Sequence, residues 1–163
     1  TGLEDSMKAT YKLSDGGEVT FFGYADRLEN VGGVTRVVDY KTGKTTQTDL
    51  NLKPDWEIEG GKLDKGNASK ALQLLVYCAI LLNDDSLGEV KASIRSGRNA
   101  QSGLLNLKIG KRTEINREDV DKLIEWISNR ISAFKDEGRE ISHNEDSHYC
   151  EYCVVLDPPI ISF

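Results

Sequence analysis

Gly23-Tyr24-Ala25-Asp26-Arg27-Leu28-Glu29-Asn30-Val31-Gly32-Gly33-Val34-Thr35-Arg36-Val37-Val38-Asp39-Tyr40-Lys41 is the stretch on which the fold turns. The Gly32-Gly33 pair, set between two valines, is a two-residue hairpin signal because both central positions can take positive φ. If Val31 faces Val34, counting outward puts Asp26 opposite Asp39 and Tyr24 opposite Lys41. Directly opposed side chains sit about 4.5–5.5 Å apart at Cβ, and two like charges there call for a cation. Asp39 and Lys41 are two residues apart on one strand, so they share the face of Asp26. A hard divalent ion such as Mg²⁺ takes one or two carboxylates and keeps waters or substrate phosphates. A lysine beside it can orient an attacking water or offset charge on a phosphoryl transition state.

Outward from the hairpin, Lys8 to Leu13 and Glu18 to Leu28 read as strands joined at Asp15-Gly16-Gly17. Residues Thr42 to Gly66 are polar and Gly-rich and read as a long loop, with at most a short element around Trp56. A helix is predicted from Ala68 to Asn83, capped by Asn67 and apolar all round, hence buried on more than one side. Two more strands, Glu89–Arg95 and Leu104–Ile109, precede a second helix over Arg117–Glu137. Asn116 caps that helix, Val120, Leu123, Ile124, Ile127, Ile131 and Phe134 form its apolar stripe, and Gly138 ends it. Residues 140–163 read as an irregular tail holding His143, His148, Cys150 and Cys153.

The chain has 163 residues, 38% hydrophobic and 29% charged, which suits a single globular domain and argues against disorder. The longest apolar run, Ala71 to Leu82, is interrupted by Gln73 and falls short of a membrane span. There is no signal-peptide pattern, and the absence of an initiator Met suggests a fragment or processed form. Three cysteines make no disulfide framework, which favours a reducing, cytoplasmic setting. Net charge is −6, from 21 basic and 27 acidic residues. Yet Lys91, Arg95, Arg98, Lys108, Lys111 and Arg112 fall in one stretch with no acidic residue. Such a basic strip on an acidic body can guide a polyanion to one face, or can be only a solvated hairpin.

Three segments, Gly23-Tyr24-Ala25-Asp26-Arg27, Asp39-Tyr40-Lys41-Thr42-Gly43 and Gln73-Leu74-Leu75-Val76-Tyr77, resemble in order the motifs of RecB/AddB-like PD-(D/E)XK nucleases. The resemblance implies an α/β fold, with a restriction-endonuclease-like mixed central sheet flanked by helices. It also implies metal-dependent hydrolysis of DNA phosphodiester bonds. On that likeness Asp26 and Asp39 are metal ligands, joined by the backbone carbonyl of Tyr40, and the ion is Mg²⁺ or Mn²⁺. Lys41 is the catalytic lysine, Gln73 and Tyr77 complete the catalytic set, and Arg27 and Thr42 support it. The i, i+4 spacing puts Gln73 and Tyr77 on one helical face.

Such domains process DNA ends, commonly as exonucleases tethered to a helicase or helicase-like region, in recombinational repair. The branch usually supplies a further metal ligand from an earlier helix. Here only Glu4 is available, so the N-terminal part of the fold is expected to be missing and the chain to be the C-terminal part of a longer protein. An inactive nuclease fold retained for DNA or protein binding is the alternative. In iron–sulfur members, four cysteines pin the terminal segment through a [4Fe–4S] cluster. Cys150 and Cys153 match its C-x-x-C part, Cys78 lies inside a helix, and no third terminal cysteine follows. A cluster would therefore need ligands outside this chain; a relic, or a zinc site completed by His143 and His148, are the other readings.

Overall fold

The computed structural model describes residues 5–56, 63, 68–136 and 138. Glu4, Asn67, His143, His148, Cys150 and Cys153 lie outside the described residues. The chain opens with a two-stranded antiparallel ribbon, β1 (Asp5–Lys12) and β2 (Glu18–Ala25). Its turn is closed by Asp15, whose Oδ1 accepts from the N–H of Gly17 at 2.9 Å, and by Gly16 at φ +81°.

The predicted strand Glu18–Leu28 is in fact two. β2 stops at Ala25, the chain bends at Asp26, and β3 (Arg27–Val31) enters a different sheet. Gly32 and Gly33 have φ of +63° and +88°, as the hairpin reading required, and β4 (Val34–Lys41) returns antiparallel. Val31 faces Val34 and Arg27 faces Val38, so the register holds along all of β3. It ends there. Tyr24 pairs with Ser6 of β1, not with Lys41, because β2 has already left for the ribbon.

After β4 come a 3-10 turn (Gln47–Leu50) and a short β5 (Asn51–Leu52), earlier than the element expected at Trp56. Trp56 itself is buried in a turn. α1 spans Ser69–Leu82 with Ala68, not Asn67, at its N-cap. β6 (Glu89–Ser96) then lies parallel to β4, a pairing that requires a crossover such as α1. The expected strand Leu104–Ile109 is divided into β7 (Leu104–Asn106) and β8 (Lys108–Ile109), the latter pairing with β5. β9 (Glu114–Asn116), which no periodicity announced, pairs with the start of β6. α2 covers Arg117–Lys135 and begins with a reciprocal capping box between Asn116 and Asp119.

The architecture is a mixed α/β fold whose central five-stranded sheet runs β3-β4-β6-β7, with β9 also on β6. α1 touches β6, both ribbon strands and α2, and Ala71, Leu74, Cys78 and Ala79 are completely buried. This explains why its apolar residues run round the whole helix. Among the described residues, no helix is long and apolar enough to cross a membrane.

Candidate active site

β4 delivers Asp39 and Lys41 to the sheet face covered by α1. The parallel register pairs them with Ile94 and Ser96 of β6, whose side chains share that face. Asp39 is only 5% exposed, a degree of burial that acids show almost only when paired. Lys41 Nζ lies 3.0 Å from Asp39 Oδ2 and donates to Gln73 Oε1 at 2.7 Å. Gln73 Nε2 in turn reaches Asp39 Oδ1 at 3.3 Å and the Tyr77 hydroxyl at 3.1 Å. The Tyr77 hydroxyl donates to the carbonyl of Tyr24 at 3.1 Å. Asp26 joins from the bend: its Oδ2 accepts from the N–H of Tyr40 at 2.7 Å.

The structure therefore gathers Asp26, Asp39, Lys41, Gln73 and Tyr77 in one polar cluster. Asp26 reaches it from a bend between sheets rather than from a ladder position facing Asp39.

Burial raises the pKa of Asp39; the Lys41 ammonium pulls it back and the Asp26 carboxylate adds to the rise. Asp39 Oδ2 is buried and, despite the nearby ammonium, has no hydrogen bond of good geometry. A buried carboxylate oxygen in that state suits a hard cation. Among the described residues no group of three His, Cys, Asp or Glu side chains gathers around one point. The carboxylates of Asp39 and of Asp26, which is tied to β4 through the Tyr40 N–H, are oxygen donors of the kind that would hold Mg²⁺ or Mn²⁺ with water or phosphate in the remaining positions.

Three supporting features escaped the sequence. Gly23 lies under Tyr77, and a Cβ there would stand 3.0 Å from the ring's Cε1. A glycine inside a strand was the available signal of close approach. Ser96, fully buried, donates its Oγ–H to the carbonyl of Gly43 at 2.8 Å and accepts from the N–H of Thr45 at 3.2 Å. Together with the bond from the Gly97 N–H to the Lys41 carbonyl at 2.7 Å, it fixes the chain leaving Lys41. Nothing in the sequence announced it. Glu29 accepts from Arg27 at 2.7 Å and also pairs with Arg36, so Arg27 is tied down beside the site. Thr42 is exposed at the loop entrance.

The basic strip is divided in use. Arg112 forms a bidentate pair with Asp119, both bonds 2.8 Å, and Lys91 binds Glu114 at 2.9 Å. Arg95, Arg98, Lys108 and Lys111 make no ion pair among the described residues, and Arg95 stands beside Tyr40 in register. Cys78 is wholly buried in α1, and its thiol pKa is raised by desolvation, so it is a packing residue.

A family model describing the PD-(D/E)XK nuclease superfamily matches residues 2–157. No curated protein and no solved structure matches the chain significantly.

Proposed function

Since the chain belongs to the PD-(D/E)XK nuclease superfamily, we propose that it is a Mg²⁺- or Mn²⁺-dependent deoxyribonuclease of the RecB/AddB-like branch. It acts in the cytoplasm on DNA ends during recombinational repair, linked to a helicase or helicase-like region. One observation carries the catalytic assignment. Gln73 hydrogen-bonds a buried aspartate, a lysine and a tyrosine into one cluster, and a second aspartate is tied to the same strand. A packed core has no need of such a polar cluster. The ordered motifs at Asp26, Asp39–Lys41 and Gln73–Tyr77 support the branch.

Asp26, Asp39 and the Tyr40 carbonyl are the ligands in this reading, and the bound cation supplies charge stabilisation to the phosphoryl group and acidity to its water. Lys41 carries its ammonium at the Asp39 carboxylate, where it orients a water and offsets developing negative charge. Gln73 holds Lys41 through Oε1 and Asp39 through Nε2, so it fixes their separation. Tyr77 orients Gln73 and anchors the helix to the β2 backbone.

Two measurements test this. Mn²⁺ should raise the melting temperature by linkage, and the Asp26→Asn/Asp39→Asn double variant should lose that rise. An unchanged response would remove the metal assignment. Lys41→Ala should reduce Mn²⁺-dependent cleavage of DNA by about 10²–10³, the usual effect of deleting one transition-state stabiliser, while leaving the far-UV CD spectrum intact. Cleavage at the unmodified rate would refute its role.

A further inference from the structure

The outer face of the β1–β2 ribbon carries two large rings that no described residue covers. Phe22 is 78% exposed and Tyr24 is 66% exposed. Along β2 the alternate residues turn the other way: Phe21 meets Tyr11 at 5.9 Å between centroids, and Gly23 lies under Tyr77. The register sets Lys8 across from Phe22 and Ser6 across from Tyr24. The bond between the Thr10 and Thr20 hydroxyls, 2.9 Å, confirms that these pairs share the outer side. This surface runs into the candidate active site. The carbonyl of Tyr24 accepts from Tyr77, and Asp26 follows two residues later.

We propose that Phe22 and Tyr24 form a stacking platform for bases of an unpaired nucleic-acid strand, with Lys8 facing its phosphates. The inference rests on the nuclease reading above and extends it to the kind of strand the site receives. Same-face residues on a strand are about 6.6–6.8 Å apart, two steps of 3.3–3.4 Å. A strand whose bases keep B-like stacking advances about 3.4 Å per residue. Two rings at that separation match one base held between them, or alternate bases laid on each. Every base has a π-face, so the platform is tolerant of sequence.

In a duplex the bases are stacked on one another, and only a terminal pair could meet a ring. The platform therefore favours a strand that is unpaired beside the site. A protein partner is the weaker fit, since the rings are bordered by Lys8, Ser6, Thr10 and Thr20 rather than by aliphatic side chains.

The experiment compares this chain with Phe22→Ala/Tyr24→Ala and Phe22→Leu/Tyr24→Leu variants, binding fluorescent oligo-dT or a duplex of equal length in EDTA. Both sites are solvent-facing, so the melting temperatures should agree. Oligo-dT binding should weaken at least about fivefold with alanine, the lower bound for losing one stacked base, and leucine should not restore it. Duplex binding should change less than about twofold, because its stacked bases offer the rings no face. A single-stranded oligonucleotide carrying 2-aminopurine should be quenched by the unmodified chain and not by the alanine variant.

Equal losses for both ligands, no loss for either, or a change only in self-association would overturn the platform. Cleavage with Mn²⁺ separates the two readings. Ring-dependent binding without cleavage would retain the platform and reject the nuclease reading. Cleavage of single strands at the same rate by the alanine variant would do the reverse.

Discussion

Replacing Arg112 with alanine is expected to destabilise the fold by about 2–3 kcal/mol. Its guanidinium spans both oxygens of Asp119, and the Asp119 side chain is 3% exposed. Losing the partner of a buried ion costs about 3–5 kcal/mol. Arg112 is itself 41% exposed, so water can enter beside the carboxylate and the lower figure follows. Asp119 also accepts from the N–H of Asn116 at 3.0 Å in the α2 capping box, so the loss should loosen the start of that helix. At this size about 1 kcal/mol moves the melting temperature by about 2–4 °C, which gives a fall of roughly 4–12 °C.

Differential scanning calorimetry of the Arg112→Ala and Arg112→Lys variants measures it. Lysine should recover part of the loss, because it keeps the charge without the two-pronged geometry. DNA affinity, measured well below either midpoint, should stay close to that of the unmodified chain, whereas Arg98→Ala should weaken it and reduce its salt dependence. A variant that melts with the unmodified chain yet binds DNA as weakly as Arg98→Ala would refute the reasoning.

Gly23→Ala should lower the melting temperature and Mn²⁺-dependent cleavage together, because the new methyl must displace the Tyr77 ring and stretch its bonds to Gln73 and Tyr24. Overpacking of this kind costs about 1–3 kcal/mol; unchanged values for both would contradict the close approach. Hydrogen bonds, that from Lys91 foremost and others from Thr113 and the backbone, lower the Glu114 pKa from 4.5 to about 2. These bonds therefore contribute stability at pH values above 4.5, and the contribution fades as pH falls towards 2. Acid titration by CD should be flatter over that window for Glu114→Gln, and parallel curves would show that the bonds contribute nothing.

What was legible in the sequence was the local chemistry. Gly32-Gly33 admits few backbone solutions, so the β3–β4 register followed from it, and with it the shared face of Asp39 and Lys41. Asn116 and the apolar stripe behind it announced α2 in the same way. What escaped depends on partners distant in sequence. No breaker marks Asp26, and the bend there is held by a bond to the N–H of Tyr40, fourteen residues on.

The 3-10 turn did carry a signal, Thr46 and Asp49 at capping-box spacing, but the apolar weight of Trp56 drew the prediction towards the wrong place. β9 is three residues long, too short for alternation to register. The charge count of the basic strip treated Arg112 and Arg98 alike. Only the fold brings Asp119 to one and leaves the other exposed.

The bend at Asp26 decides how substitutions there must be read. Ala25 is the last residue of one ladder and Arg27 the first of another, and the side chain between them holds a backbone amide of β4. Alanine at position 26 would remove a carboxylate and unfasten that seam in a single stroke, so lost activity would have two indistinguishable causes. Asparagine keeps an oxygen for the Tyr40 N–H and discards only the charge. Comparing the two amino acids at this one position separates the join between sheets from the chemistry it serves.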